Sequence, residues 1–360
     1  MEIKILKIDP TDNWDDELKL FKGSIYLSKS LLSSTESTMN KAVYLKFFHN
    51  EQEVAMLSGL EVDKVNGNEK QLFFYAAPVV RGNSLEILKA CKNALVKFAE
   101  EKGYSRMVFR SYDDTSYQYI SADKYYMSKL REECIIDLSK GEKEFEKGFT
   151  KNVRRHVKKA KTAGVIFKEG NSPDHLNRLL ELMNTTQKVR KGKGYGSYAI
   201  FCLPFIDKDV MLKLLQRNFA SLYYAESDGN IVSIQFTLKA MGRAYGMFMG
   251  TSPKGYELAA PSVLFHDIAF DLKAKGFYSY NLGGVTIGSK HDGVRKFKLT
   301  MGSELFQSSE EKTYFLQPDL KKYNKLLRFK HFIRNSQIPI RLKKQILRFT
   351  NLLMGSRDNL

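Results

Sequence analysis

The chain has 360 residues, of which 43% are hydrophobic and 12% aromatic, and its formal net charge is +18 at pH 7. This length predicts about two domains with substantial cores. The longest apolar runs are far shorter than a membrane span, so we expect no transmembrane helix. The N-terminus lacks the apolar core of a signal peptide, so we expect no signal peptide. Three widely spaced cysteines and six scattered histidines favour a reducing compartment and no metal site.

The first half predicts a charged helix followed by strands and a second helix. The helix lies around residues 14–21, and apolar strands lie near residues 43–48, 54–60 and 72–75. Asn83 or Ser84 is placed to cap a helix that carries apolar residues at helical spacing and ends at Gly103. A strand then begins at Met107.

A charged, glycine-flanked segment at residues 140–150 predicts the boundary between a first domain (1–148) and a second (149–310). Beyond it, Arg154 and Lys158 form one i,i+4 row on a predicted helix, and Arg155 and Lys159 form another. Like charges at this spacing repel each other in an isolated helix. The rows indicate either a solvated face or a polyanion-binding surface for RNA, a pyrophosphate-linked substrate or an anionic membrane.

A basic loop follows, with Arg190, Lys191 and Lys193 beside Tyr195 among glycines. It is either a clamp for a pyrophosphate or a loop without a site.

The second half repeats the order of elements in the first. A strand at 245–249 is followed by a helix at 261–275, which ends at Gly276, and then by a strand at 277–282. Lys-Gly-aromatic precedes an apolar strand at both Gly103 and Gly276, which lie 173 residues apart. This weak repeat predicts an α/β protein with two similar domains and mixed sheets.

The stretch from Gly276 to Leu305 predicts the mouth of a cleft, or else a strand and turn without a site. Gly283 and Gly284 allow close approach of backbone or ligand. A polar loop with His291 and Asp292 follows, and then a predicted basic strand that contains Phe297 and Lys298 and runs into Met301 and Gly302.

The tail, residues 311–360, mixes apolar and basic residues. Between Lys321 and Thr350 there are ten Lys or Arg and no acidic residue. Pro339 separates two predicted helices. These helices either pack against the first domain or lie on an anionic membrane.

Two segments resemble the Fem-type peptidoglycan aminoacyltransferases. Residues 136–165 are similar to the family's interdomain strand and helix, with Arg154, Val157, Ala160 and Gly164-Val165 at the matching places. Residues 292–302 are similar to the family's Asp-Gly-x-x-x-Phe-Lys-x-x-Phe-Gly signature, with Met301 replacing the second Phe. A third family pattern, Thr-x-x-Arg-x-Gly, matches Thr186 to Gly192 with one additional residue.

The resemblance implies two GNAT-like domains in a bacterial cytoplasmic protein, and the composition of the tail adds the alternative of peripheral binding to the inner face of the plasma membrane. The resemblance also implies transfer of an amino acid from aminoacyl-tRNA, as co-substrate, to an amine of a lipid- or nucleotide-linked peptidoglycan precursor, with no tightly bound cofactor. The alternative is a GNAT-like N-acyltransferase that uses acyl-CoA or acyl carrier protein on an amino sugar, amino acid or lipid amine. A third possibility is an RNA- or membrane-binding protein without enzymatic activity.

Amide formation needs a neutral amine, a stabilised oxyanion and a proton for the leaving group. The sequence shows no Ser-His-Asp or Cys-His arrangement, which favours direct transfer. The predicted catalytic residues are Lys298 for positive charge, Asp292 and His291 for the amine, and Tyr280. The predicted substrate-binding residues are Phe297, Asn281, Gly283, Gly284, Arg190, Lys191, Tyr195 and Asp113. The usual Arg/Gln-x-x-Gly-x-Gly/Ala pattern for the CoA pyrophosphate is missing before both principal helices, which weighs against an ordinary acetyl-CoA enzyme.

Overall fold

The computed structural model describes residues 1–10, 13–63, 69–114, 125–192, 201, 203–285, 293–336 and 338–354. In the first half, six strands and three helices follow each other. They are β1 (Lys4–Ile8), α1 (Trp14–Leu20), α2 (Lys29–Thr35), β2 (Asn40–His49), β3 (Gln52–Asp63), β4 (Lys70–Phe74), β5 (Val79–Val80), α3 (Leu85–Glu101) and β6 (Arg106–Phe109).

A long strand and two short helices lead into the second half. The elements are β7 (Tyr126–Asp137), α4 (Glu142–Gly148), α5 (Lys151–Thr162), β8 (Ile166–Gly170), α6 (Pro173–Gly192), α7 (Lys208–Gln216), β9 (Ala220–Ser227), β10 (Asn230–Ala240), β11 (Arg243–Thr251), α8 (Pro253–Glu257), α9 (Ala260–Ala274), β12 (Ser279–Val285), α10 (Gly293–Thr300) and β13 (Glu304–Thr313). The tail contains α11 (Asn324–Asn335) and α12 (Ile340–Met354), on either side of Pro339 as the sequence predicts.

All described strands belong to one mixed sheet, in the order β1-β2-β3-β4-β6-β13-β7-β12-β11-β10-β9-β8, with β5 beside β3. Each half contains one parallel pair whose strands are connected through a helix, β4 with β6 through α3 and β11 with β12 through α9. This duplication confirms the predicted α/β fold of two GNAT-like domains. The last strand, β13, lies between β6 and β7 and so joins the halves. The domain boundary at residues 148 and 149 stays a prediction.

Local sequence signals explain where the two connecting helices begin and end. The Ser84 hydroxyl accepts a hydrogen bond from the Ile87 amide at the start of α3, as predicted for a cap. Gly103 and Gly276 follow α3 and α9 with φ of +73° and +80°, in the left-handed region where a side chain would be strained. Both helices therefore end where the sequence predicts.

Apolar side chains from both halves share the largest core, which includes Trp14 and Phe73 in the first half and Leu179 and Phe236 in the second. A second core lies under α9 and contains Phe149, Ile268 and Tyr280. In the part of the chain that the structure describes, no helix combines the length and apolarity needed to cross a bilayer.

Candidate active site

The two parallel strands of the second half separate after a short stretch of pairing. Arg243, Ala244 and Tyr245 of β11 pair with Ser279, Tyr280 and Asn281 of β12. Both strands continue beyond these residues, to Thr251 and Val285, without pairing with each other. A gap therefore opens between β11 and β12 within the sheet.

A cavity of about 600 Å³ lies at this gap. Its walls are largely apolar and include Met247, Phe248, Leu282 and, on α9, Phe265. Helix α9 begins at the cavity, with Ala259, Pro261 and Ser262 among the lining residues, so the positive end of its dipole faces this space. The cavity can hold an apolar acyl chain or an amino acid side chain beside an anionic group.

Lys298 lies at the cavity and is 9% exposed. Its ammonium Nζ donates hydrogen bonds to the carbonyl oxygens of Gly283 and Gly284, each at 3.0 Å. Burial disfavours the charged form and lowers the pKa of Lys298 to about 8. Among the described residues its hydrogen-bond partners are these two carbonyls, and an ammonium has three donors. One N–H thus remains for a group in the cavity.

The sequence prediction of a basic strand around Lys298 is wrong, because residues 293–300 form helix α10. In the helix, Val294 and Phe297 lie one turn apart and both line the cavity. The ring of Phe297 packs edge-on against Phe265, 5.6 Å between centroids, and is half-buried.

Gly283 and Gly284 allow the chain to pass closely between Lys298 and Arg131. Gly283 has φ of +81°, and a Cβ there would meet the Gly246 carbonyl oxygen at 3.3 Å and Lys298 Nζ at 3.6 Å. A Cβ at Gly284 would lie 2.8 Å from Arg131 Nη2. The predicted need for glycine at this turn therefore has a steric basis.

A buried ionic network lies on the other side of this turn. The guanidinium of Arg243 binds both carboxylate oxygens of Asp113, with Nε–Oδ2 at 2.7 Å and Nη2–Oδ1 at 2.8 Å. Asn281 Nδ2 donates to Glu133 Oε2 at 2.7 Å and to Asp113 Oδ1 at 3.2 Å. The Tyr245 hydroxyl donates to the other oxygen of Glu133 at 2.8 Å.

Asp113 and Asn281 therefore lie beneath the site. The sequence placed Asp113 at the rim of the cleft, but it is 1% exposed and holds a φ of +53°. Sequence reasoning missed Arg243 and Glu133 entirely. The available signal was Glu132-Glu133 directly before the apolar run Cys134–Ile136, since acids within a buried strand need partners.

Tyr280 is fully buried, and its hydroxyl donates to Gln235 Oε1 at 3.1 Å. Burial raises its pKa above the usual tyrosine value, so it stays protonated. This hydrogen bond orients the side chain of Gln235, which lines the cavity.

The remaining predicted residues lie in α6 or fall outside the described chain. His291, Asp292, Lys193 and Tyr195 lie outside the described residues. Lys191 is exposed and, like Arg190, lies in the last turn of α6 rather than in a loop.

The four basic residues of α5 lie on a helix, as predicted, but serve different purposes. Arg154 Nη1 donates to the carbonyls of Glu146 and Phe149, which gives it a structural role. Lys159 is exposed and lies one turn from His156, which lines the cavity. Helix α5 therefore lines the cavity with His156 and presents Lys159 to solvent one turn further along.

Comparison with known proteins shows a similarity in sequence over part of the chain and in fold over most of it. Residues 147–299 match the family model described as an acetyltransferase (GNAT) domain. No curated protein matches the chain in sequence.

Three solved structures have the same overall architecture. The crystal structure of FemX is 14% identical, covers 88% of this chain and 99% of that chain, and has a TM-score of 0.67. L-PGS from Bacillus licheniformis is 19% identical, with coverages of 96% and 99% and a TM-score of 0.50. A conserved protein of unknown function from Bacteroides thetaiotaomicron VPI-5482 is 14% identical, with coverages of 86% and 99% and a TM-score of 0.50. Residues 147–299 are therefore similar to an acetyltransferase (GNAT) domain, and the chain as a whole shares the fold of FemX.

Proposed function

We propose that this protein transfers an aminoacyl group from aminoacyl-tRNA to an amine of a peptidoglycan precursor. The observation that carries the proposal is the buried ammonium of Lys298 at an apolar cavity between two separated strands. The similarity to FemX over nearly its full length supports it. The net charge of +18 supports a polyanionic donor.

The reaction in this site is a direct attack on an ester. The neutral amine of the acceptor forms a C–N bond to the aminoacyl carbonyl, and a tetrahedral oxyanion develops. The remaining N–H of Lys298 donates a hydrogen bond to this oxyanion and its positive charge stabilises it. A single donor of this kind raises kcat by about 10²–10³. The C–O bond to the tRNA ribose then breaks, and the proton lost by the amine ends on the ribose hydroxyl.

No covalent enzyme intermediate is required. Burial raises the pKa of the Cys134 thiol, and this effect outweighs the nearby positive charge of Lys298, which acts to lower that pKa. A protonated, buried thiol is a poor nucleophile. Cys134 therefore does not compete with direct transfer.

The second candidate is transfer from an acyl thioester. The apolar walls and the start of α9 at the cavity favour it. An acyl chain against Met247 and Leu282, with an anionic group near the helix end, fits these features. This reaction would release a thiol rather than a ribose hydroxyl.

One assay separates the two donors. The purified protein is incubated with labelled aminoacyl-tRNAs or acyl-CoAs, and lipid-linked and nucleotide-linked precursors are offered as acceptors. We expect amide product from aminoacyl-tRNA, loss of product after RNase treatment, and no released thiol. Product from acyl-CoA alone would overturn the proposal.

A matched pair of variants tests the site itself. Lys298→Met should lower kcat by about 10²–10³. Lys296→Met removes an exposed lysine two residues earlier on the same helix and should retain activity. Equal losses in both variants would show that the helix, and not the buried ammonium, is required.

A further inference from the structure

The two tail helices present large apolar side chains to solvent. The exposed fractions are 66% for Phe332, 62% for Phe349 and 80% for Leu352. Phe329 and Leu342 are also exposed. The described part of the chain leaves five such side chains uncovered within 24 residues, two on α11 and three on α12. We name these five residues the tail surface.

The inner faces of the same helices are packed. Leu327 and Ile333 of α11 are buried, as is Thr350 of α12. Lys330 Nζ donates to Asn351 Oδ1 at 2.5 Å and links the two helices. The tail surface is therefore the outer side of an ordered helix pair.

On α12 the exposed apolar residues follow the helical period. Leu342 and Phe349 are seven residues apart, and Leu352 follows three residues later, so the three lie along one side of the helix. The stripe is about 15 Å long, from the rise per residue of an α-helix. Arg341 and Arg348 are exposed and border it on the same side.

The charge of the tail is of one sign. Ten Lys or Arg and no acidic residue lie between Lys321 and Thr350. Facing copies of this surface would repel each other, which argues against a second copy of the chain as its partner. An RNA would match the charge, and bases could stack on the three phenylalanines, but an RNA offers no apolar partner that would bury the aliphatic Leu342 and Leu352 beside them.

We propose that helices α11 and α12 dock on the surface of a bilayer that contains anionic phospholipid. The tail surface enters the boundary between headgroups and acyl chains, while Arg341, Arg348 and the neighbouring lysines contact the phosphates. Long basic side chains reach the headgroups while their methylene stems stay beside the apolar residues. The docking does not depend on which acyl donor the enzyme uses.

The test is co-sedimentation of the full-length protein with vesicles, without substrates. One vesicle preparation is phosphatidylcholine alone, and the other is an equal mixture of phosphatidylcholine and phosphatidylglycerol. We expect binding to the mixed vesicles and weaker binding as the salt concentration rises. Arg341→Gln/Arg348→Gln should bind about 30-fold more weakly, and Phe349→Ser/Leu352→Ser at least about tenfold more weakly.

Matched controls lie on exposed positions of the first half. Lys89→Gln/Lys97→Gln removes two exposed charges of α3, and Leu20→Ser removes an apolar side chain that is 83% exposed. Both should bind vesicles like the wild type. Circular dichroism confirms that each variant is folded.

A fluorescent variant reports the depth of docking. Trp14 is the chain's single tryptophan and is fully buried, so Phe349→Trp adds the responsive signal. We expect a blue shift of its emission on mixed vesicles. The proposal is overturned if the wild type does not bind mixed vesicles or the emission does not shift. It is also overturned if the tail variants bind the mixed vesicles like the wild type.

Discussion

The pKa of Lys298 makes a quantitative prediction about stability. The ordinary pKa of lysine is 10.5, and burial lowers that of Lys298 to about 8 in the folded protein. Between these pH values the unfolded chain holds a proton that the native protein has released, so raising the pH stabilises the native state. Below the folded pKa both states hold the proton, and the native state carries the full desolvation penalty.

The size of the effect follows from the two pKa values. The penalty at about pH 7 is about 3 kcal/mol. It falls to about 1 kcal/mol near pH 9.5, because the native lysine is then neutral and no longer carries a buried charge. The remaining penalty is the cost of removing the proton that most of the unfolded population still holds. The free energy of unfolding should therefore rise by about 2 kcal/mol across this range through Lys298 alone.

Lys298→Met isolates this contribution. The variant also loses two hydrogen bonds to the carbonyls of Gly283 and Gly284. The part of that loss that depends on the charge of Lys298 is already contained in its pKa, and the remainder is the same at both pH values. Urea unfolding at the two pH values gives four free energies. The difference between wild type and Lys298→Met should change by about 2 kcal/mol in favour of the wild type at the higher pH.

Lys296→Met is the control, since Lys296 is exposed on the same helix. Its stability should follow that of the wild type at both pH values. If the difference in the free energy of unfolding between wild type and Lys298→Met is the same at both pH values, Lys298 is not a buried, desolvated ammonium. The oxyanion role predicts a parallel result in kinetics, with kcat decreasing as the pH rises through about 8, where the ammonium is lost.

Three further predictions concern the site and other buried groups. Arg243→Met should destabilise the fold by about 3–5 kcal/mol in urea, because it leaves Asp113 buried without its cation. Lys168→Met, in an exposed pair, should leave the unfolding midpoint nearly unchanged, and a similar loss in both would contradict the argument. Gly283→Ala should destabilise by about 1–2 kcal/mol from its left-handed φ, and should also lower kcat because the new Cβ lies 3.3 Å from the Gly246 carbonyl oxygen and so shifts the turn whose carbonyls hold Lys298; unchanged stability and kcat would count against the turn geometry. Burial raises the pKa of Cys91 to about 12 and also raises that of Cys134, so in a Cys202→Ser background both thiols should react with a thiol reagent much more slowly in buffer than in urea, and fast labelling of the native protein would disprove their burial.

The sequence alone determined the features that depend on neighbouring residues. Helix α3 begins at Ser84 and ends at Gly103 because a hydroxyl cap and a left-handed glycine act within one turn. The repeated order of strands and helices predicted two similar α/β domains, and the family resemblance implied that they are GNAT-like. Lys298 was identified from a short motif, and the structure places it at the cavity.

The tertiary structure decided what depends on distant residues. Asp113 and Arg243 are 130 positions apart, and pairing of β7 with β12 brings their network together, so no local pattern shows it. Two tertiary contacts stabilise residues 293–300 as a helix: Phe297 packs on α9, and Lys298 donates hydrogen bonds to carbonyls of β12. Composition supplied the charge of the tail, but which of its apolar residues face solvent follows only from the packing of α11 and α12. Helix caps are local interactions, whereas burial of a charge depends on every element packed around it.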